Sequence, residues 1–188
     1  MTLICLETID PGFQFPIQLT TLKLMFKGSA DVALLTPLTR LRCLDIDVNE
    51  ASDPLDLSGL TTLTLLNARW SPVSRLPMSL VNYKVNLRAD TNLSHLTNLT
   101  SLSVCLEPGI RATFPTGLKQ LQLAEGELTN TNVGDVALET MTFSWQHQIT
   151  LDELERLPKT LKTVTGRFEP ESLKAHLCEI FPLIEPSP

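Results

Sequence analysis

A short pattern of leucines recurs along the chain and constrains its fold more than any other feature. Residues 96–104 have the form LxxLxxLxL, and 38–46 and 57–65 repeat it. A second version carries proline near its start at 15–24 and recurs at 76–85, 114–123 and 157–166. The equivalent positions are 19 to 23 residues apart and are Leu3, Leu22, Leu44, Leu63, Tyr83, Leu102, Leu121, Met141 and Val164. Such regular spacing predicts a repeat architecture.

Each copy ends in residues that alternate between apolar and polar, as in a strand with one buried face. A period of about 20 residues accommodates a strand, a turn and a short return segment. One such unit cannot bury its apolar face alone, so neighbouring units must stack with their strands parallel. We therefore predict an α/β solenoid. It would have a curved parallel sheet on the concave side and short loops, 3-10 turns and one or two short helices on the convex side.

This pattern resembles the leucine-rich-repeat superfamily over nearly the whole chain. The Leu-Pro-x-x-Leu copies resemble the short repeats of bacterial effectors of the YopM and IpaH type. The stretch at 96–102 is similar to internalins and to the regulator family of protein phosphatase 1. The resemblance implies a protein-interaction module, and regulation of an enzyme such as a phosphatase is one form this could take. Because the fold hosts many unrelated binders, the resemblance names no partner.

One departure from the family concerns the turn after each strand. The family usually places Asn five residues after the anchor leucine, and only Asn49 fits here. The preceding residue is often large and apolar, as in Phe26, Val48, Leu87, Leu106, Trp145 and Phe168. We therefore expect strands with one more inward-facing residue, and turns whose backbone groups find other partners.

The two ends of the array differ. We assign 1–169 to about nine repeats, the first of them partial, and 170–188 to a C-terminal capping helix and tail. That helix would bury Leu173, Leu177, Ile180 and Phe181 on one face, although a partner-binding helix is a second interpretation. A further short helix should begin at Thr150, with Glu153 completing a capping box. No cap precedes Leu3, so the first strand could pair with another copy of the chain.

Charge and cysteine usage narrow the function classes. A net charge of −6 and a pI near 5.0 disfavour a nucleic-acid surface. No apolar run approaches the roughly 18 residues that span a membrane, and 1–7 do not resemble a signal peptide. Cys5, Cys43, Cys105 and Cys178 form no CxxC motif, which favours reduced structural thiols. We predict a cytoplasmic protein without nucleic-acid partners or membrane insertion, while the resemblance to effectors leaves delivery into a host cell open.

The residues that could carry chemistry form no catalytic pattern in the sequence. The histidines are His95, His147 and His176, and none has metal-ligand spacing to another histidine or cysteine. Cys178 and His176 would point to different sides of a helix, which argues against a nucleophile and base pair. Asp45 and Asp47 could hold calcium or act in acid–base chemistry, but a solvated acidic patch is the simpler interpretation. We predict neither enzymatic activity nor a cofactor.

The polar residues between the inward-facing ones predict the binding surface. Eight strands would offer three side chains each, comparable to the roughly 20–30 residues on one side of a standard interface. We expect the contacts to come from Asp45, Asp47, Thr64, Leu66, Lys84, Asn86, Arg88, Ser103, Gln122, Thr142 and Arg167. Trp70 would either anchor a partner at the rim or fold back onto the core. This predicts a scaffold that binds a protein partner, with self-association through the first strand as the alternative.

Overall fold

The computed structural model describes residues 2–7, 13–26, 32–48, 54–69, 73–145, 147–169 and 171–182. The chain forms two compact units, Met1–Val85 and Asn86–Pro188. The strands of the first unit are β1 (Thr2–Glu7), β2 (Thr21–Phe26), β3 (Cys43–Val48), β4 (Leu55–Asp56), β5 (Leu65–Ala68), β6 (Val73–Arg75) and β7 (Asn82–Leu87), the last of which crosses the boundary. A 3-10 helix spans Val32–Leu34.

The second unit continues the alternation of strands and return segments. Its strands are β8 (Thr91–Asn92), β9 (Ser101–Leu106), β10 (Ala112–Thr113), β11 (Gln120–Glu125), β12 (Thr140–Phe143) and β13 (Thr163–Thr165). A 3-10 helix spans Val133–Asp135, and the α-helices are α1 (Leu151–Arg156) and α2 (Glu171–Ile180). Short loops and short helices therefore connect the strands, as predicted.

Every pair of neighbouring strands described within a unit is parallel. In the first unit β1, β2, β3, β5 and β7 pair in that order, and β4 pairs with β6 on the return side. In the second unit β9, β11, β12 and β13 pair in that order, and β8 pairs with β10. Each unit is thus a parallel-strand solenoid of the leucine-rich-repeat type, which confirms the predicted fold class.

The predicted anchor residues stack in register, with one exception. Leu22 lies opposite Leu44, and Leu102, Leu121, Met141 and Val164 occupy equivalent positions on successive strands. These six side chains are at most 1% exposed. Stacking apolar residues at the same position strand after strand builds, within each unit, a core that no single repeat could form.

The exception is the fourth repeat, where the predicted anchor Leu63 is wrong. The residue opposite Leu44 is Leu66, and Leu66 in turn lies opposite Tyr83. The leucines at 57, 60, 63 and 66 allow two frames. Residues 57–65 fit LxxLxxLxL in full, residues 60–68 fit it except that Ala68 replaces the last leucine, and the structure adopts the later frame. Leu63 is also fully buried, but it lies before β5, in the position that Leu41 occupies one repeat earlier.

The longer strands expected from the missing asparagines are present in several repeats. Leu87 and Leu106 end six-residue strands and are at most 6% exposed, as predicted. Phe168 is buried as predicted, at 9% exposed, but β13 already ends at Thr165. The prediction is wrong for Trp145, which is 74% exposed because β12 already ends at Phe143. Asn49 and the side chains of Phe26 and Val48 lie outside the described residues.

Side chains from one repeat satisfy turn backbone groups of the repeat before it. The Asn132 Oδ1 accepts a hydrogen bond from the Phe114 amide at 2.7 Å, and its Nδ2 donates to the Phe114 carbonyl at 3.1 Å. Hydroxyls of Thr62 and Thr160 donate to the carbonyls of Leu41 and Leu138 at 2.8 Å. These backbone groups lie before β3, β11 and β12, so the contacts do not test the prediction made for the turns that follow the strands.

The predicted short helix begins as expected. Thr150 is the N-cap of α1, and its side chain and that of Glu153 form a capping box. Helix α2 is also present and contacts α1, with Leu173, Leu177 and Phe181 buried and Ile180 only partly buried. A capping role for α2 remains a prediction.

Candidate interaction site on the open sheet face

The side chains that alternate with the buried ones form an open sheet face on each unit. In the first unit this surface, here called the charged face, consists of Lys23, Met25, Asp45, Asp47, Leu65, Asn67, Arg69 and Lys84. Arg69 follows β5 directly, and the others lie on β2, β3, β5 and β7. The exposed fractions of 39% for Met25 and 41% for Leu65 add apolar area to it.

A polar ladder crosses the charged face from strand to strand. Lys23, Asp45, Asn67 and Lys84 lie opposite one another in register on β2, β3, β5 and β7. Lys23 Nζ lies 3.2 Å from Asp45 Oδ2, and Asn67 Nδ2 donates to Asp45 Oδ1 at 3.0 Å. Asp45 therefore has a donor on each side and is compensated within its own unit.

Asp47 and Asn67 differ from Asp45 because each keeps an unsatisfied acceptor. The Oδ1 atoms of both residues are buried and have no hydrogen-bond partner among the described residues. Both side chains line a shallow depression of about 180 Å³, together with Lys23, Met25, Asp45, Ile46 and Arg69. Buried oxygens without donors cost free energy, so this depression is suited to receive hydrogen-bond donors.

Positive charge borders the depression towards β7. Burial lowers the pKa of Lys84 below its ordinary value, and the nearby Arg69 guanidinium lowers it further. Asp45 opposes both effects in part. Within the part of the chain that the structure describes, the charged face therefore combines a carboxylate without an ion pair, Asp47, with two neighbouring cations, Arg69 and Lys84.

The second unit presents a face of different chemistry, here called the neutral face. Ser103, Gln122, Thr142 and Thr165 lie opposite one another on β9, β11, β12 and β13. Ser101, Gln120, Thr140 and Thr163 form a parallel row one step earlier. Hydroxyl and amide side chains without charge suit strands and can donate or accept hydrogen bonds.

Charge in the second unit gathers just before the strands begin. Lys119 Nζ and Lys162 Nζ each lie 2.8 Å from a different carboxylate oxygen of Glu139. Hydrogen bonds from both ammonium groups lower the pKa of Glu139 to about 2. This exposed three-residue row frames the neutral face on one side.

The structure places most of the predicted site residues on the two faces. Asp45, Asp47 and Lys84 lie on the charged face, Asn86 lies on β7, and the strands of the second unit carry Ser103, Gln122 and Thr142. Arg88 and Arg167 follow their strands and lie 3.6 Å and 2.9 Å from Glu107 and Glu169. Trp70 lies outside the described residues.

Two predicted site residues need correction. Leu66 is 1% exposed and belongs to the core, and Thr64 lies before β5, where its amide donates to the Arg42 carbonyl. Both errors arise because the sequence prediction took Leu63, and not Leu66, as the anchor of the fourth repeat. For the same reason it did not predict Leu65, Asn67 and Arg69 as residues of the charged face. The four evenly spaced leucines were the signal that a second frame existed.

A buried ionisable pair in the second unit also escaped the sequence analysis. His147 Nε2 lies 3.2 Å from Glu153 Oε2, with side chains 7% and 2% exposed. Burial raises the pKa of Glu153, but hydrogen bonds from His147 and Thr150 outweigh it, so the pKa lies below its ordinary value. The His147 ring also stacks on Phe143 at 5.2 Å between centroids. Spacing in the sequence gave no sign of this contact.

In the part of the chain that the structure describes, no three His, Cys, Asp or Glu side chains converge as a metal site would require. No described helix has the length and apolar character needed to cross a membrane. Cys43, Cys105 and Cys178 form no disulfide.

The register and the buried leucines define a leucine-rich-repeat solenoid with an open, polar sheet face on each unit. Among solved structures, the crystal structure of an internalin (inlF) from Listeria monocytogenes strain 4b F2365 is similar, with 16% sequence identity and a TM-score of 0.44. The similarity covers 90% of this chain and 67% of that chain. No protein-family model and no curated protein sequence matches this chain.

Proposed function

We propose that this chain is a non-enzymatic scaffold that binds a protein partner on the open sheet faces of its strands. The polar ladder of the charged face, with its apolar rim, supports this most directly. Buried aliphatic residues fix the backbone of each strand, so the exposed side chains are held in a preorganised array. Protein interfaces likewise combine apolar contacts at their centre with polar groups around them.

The proposal assigns the recognition chemistry to two different surfaces. The charged face supplies electrostatic contrast, which favours selection among partners. The neutral face supplies hydrogen-bonding groups at regular spacing. Regulation of an enzyme such as a phosphatase would be one use of such a scaffold, and it stays a prediction from the sequence resemblance.

Site-specific photo-crosslinking in the native cell tests the proposal. A benzophenone amino acid placed at Leu65 or Gln122 samples the open faces, and one placed at Thr61 or Thr116 samples exposed return segments. We expect the open-face positions to yield a shared adduct of defined mass that the return positions do not give. Adducts formed equally from all four positions, or from none, would contradict the proposal.

The alternative is self-association through β1, which has β2 as its neighbour among the described strands. An unpaired strand edge can recruit a second copy by backbone hydrogen bonding. In that case the probes at Leu65 and Gln122 should give no partner adduct, because they lie on the sheet face and not at the edge of β1. Light scattering should then show a dimer with twice the chain mass of 20.8 kDa at high concentration.

A further inference from the structure

The depression on the charged face has the chemistry of a socket for one basic side chain. Three observations support this. They are two buried oxygens without a hydrogen-bond donor, the lack of an ion pair for Asp47 among the described residues, and the apolar and charged side chains around the depression. The inference rests on the proposed function, because it identifies the partner group that the charged face would recognise.

The unsatisfied acceptors are the first observation. Across the described residues only three buried side-chain polar atoms lack a hydrogen-bond partner, and two of them, Asp47 Oδ1 and Asn67 Oδ1, line this one depression. Both atoms are acceptors, so the missing group is a donor. A planar guanidinium carries five N–H donors and can satisfy two oxygens at once.

The uncompensated charge of Asp47 is the second observation. Asp45 already has Lys23 at 3.2 Å and the Asn67 amide at 3.0 Å. No ion pair joins Asp47 to any residue in the described ranges, although Arg69 lines the same depression. Arg69 instead acts on Lys84, whose pKa it helps to lower. Among the described residues, no cation lies within ion-pair distance of the Asp47 carboxylate, so a cation from outside the chain could take that place.

The surroundings are the third observation. Met25 is 39% exposed and lines the depression, so it offers apolar contact to the aliphatic stem of a long side chain. Arg69 and Lys84 place positive charge on the other border, which opposes the entry of any cation, so binding has to come from the charge of Asp47 and from the two acceptor oxygens. This combination suits an isolated arginine and disfavours a continuous basic run.

We propose that the depression on the charged face binds a single arginine side chain of a protein partner, with Asp47 and Asn67 accepting its N–H groups. The Asp47 carboxylate supplies the charge, and the Asn67 carbonyl fixes the orientation of the guanidinium plane. Lysine, with a compact ammonium group, would satisfy the two oxygens less well.

Nuclear magnetic resonance with the full chain tests the socket without a known partner. The probe is Nα-acetyl-arginine amide, and its neutral isostere Nα-acetyl-citrulline amide is the matched control. We expect saturable shifts of the Asn67 side-chain amide and of the backbone amides of 45–47 with the arginine probe. The citrulline probe should leave these signals in place.

Substitutions of Asp47 and Asn67 test whether these two side chains bind the arginine probe. Asp47→Asn keeps the shape but removes the charge, and it should weaken binding of the arginine probe at least about tenfold. Asp56→Asn removes an exposed carboxylate elsewhere on the same unit and should leave binding unchanged. An unaltered backbone spectrum in each variant shows that the fold is intact, and Asn67→Ala gives a second variant with the same expected loss.

Several outcomes would overturn the inference. Equal shifts with arginine and citrulline, or an undiminished response of Asp47→Asn, would show that no charge recognition occurs. Shifts of the Arg69 Nε signal on Asp47→Asn substitution without probe would show that the chain's own arginine fills the socket. Shifts caused by calcium alone would identify a metal site instead. Open-face crosslinks that persist in Asp47→Asn would then leave the proposed function standing while the socket fails.

Discussion

Asn67 on β5 lies opposite Asp45 on β3, and its Nδ2 donates a hydrogen bond to Asp45 Oδ1 at 3.0 Å. Since side chains alternate between the two faces of a strand, an outward Asn67 requires an inward Leu66 and Ala68. The exposed fractions agree, with 1% for Leu66 and 41% for Leu65. A slip of one residue would exchange the two leucines between core and surface.

The register of β5 predicts unequal effects for two adjacent leucines. Leu66→Ala should lower the free energy of unfolding by about 2–5 kcal/mol, because it leaves a cavity in the stacked core. Leu65→Ala removes a half-exposed side chain and should cost less than about 1 kcal/mol. Urea denaturation of the two variants measures both values. Equal losses, or a larger loss for Leu65→Ala, would show that the register is wrong.

The sequence was sufficient for the repeat architecture but not for every register. An anchor such as Leu102 is recognisable because apolar burial depends on a local alternation that the sequence displays directly. In the fourth repeat, leucines at every third position from 57 to 66 allow two frames, and the sequence alone favours the one that ends in Leu65 over the one that ends in Ala68. Only the packing against Leu44 and Tyr83 on the neighbouring strands selects one frame, and that contact is not local.

The difference between local and non-local contacts also explains why only some of the contacts of Glu153 could be predicted from the sequence. Thr150 and Glu153 are three residues apart, so their capping box could be predicted from the sequence. The Leu128 amide donates to Glu153 Oε1 at 3.4 Å from 25 residues away, and the approach of His147 depends on the turn after β12. Contacts of this kind, like the orphan oxygen of Asp47, arise only once separate elements are packed together.

The buried Glu153 carboxylate predicts a stability loss on neutralisation. Its oxygens accept from Leu128, His147 and Thr150, and a glutamine would direct N–H groups at one of these donors. Glu153→Gln should therefore lower the free energy of unfolding by about 1–3 kcal/mol. Glu155→Gln, at an exposed position of the same helix, is the control and should change stability by no more than about 0.5 kcal/mol.

The lowered pKa of Glu153 also sets the direction of a pH effect. A carboxyl group whose pKa is lower in the folded state stabilises the fold above its ordinary pKa, and this contribution is lost as the pH falls through the lowered value. Acidification below about pH 4.3 should therefore narrow the stability gap between the wild type and Glu153→Gln. If the difference in free energy of unfolding between the two proteins stayed constant until acid unfolds them, the lowered pKa of Glu153 would be contradicted.

The two lysines around Glu139 predict a measurable titration shift. Carbon-13 NMR of the Glu139 carboxyl should give a pKa near 2 in the wild type. Replacing Lys119 and Lys162 by methionine removes both hydrogen bonds, so the pKa should return towards its ordinary value of about 4.3. Lys159→Met changes a lysine that lies over the Phe181 ring and should leave the titration unaltered. A wild-type titration at the ordinary pKa would show that the ion pairs do not form in solution.

Alanine substitutions at three glycines distinguish the cost of a positive φ from the cost of a steric clash. Gly126 has φ +101°, and a Cβ built there would clash with the Leu106 carbonyl oxygen. Gly109 has φ +82° with nothing within 4 Å, and Gly59 has open space without a positive φ. Gly59→Ala should therefore change stability by no more than about 1 kcal/mol, and Gly109→Ala should cost about 1–2 kcal/mol.

Gly126→Ala should be the most damaging of the three, because the strain of a positive φ and a clash with backbone act together. Leu106 lies on the neighbouring strand β9, so relief requires the strand end to move and costs about 1–3 kcal/mol beyond the loss at Gly109. Urea denaturation of the three alanine variants gives the order directly. A Gly126→Ala variant no less stable than Gly109→Ala would mean that the chain bends away from β9 after β11, and that the strand ends are not held together as the structure shows.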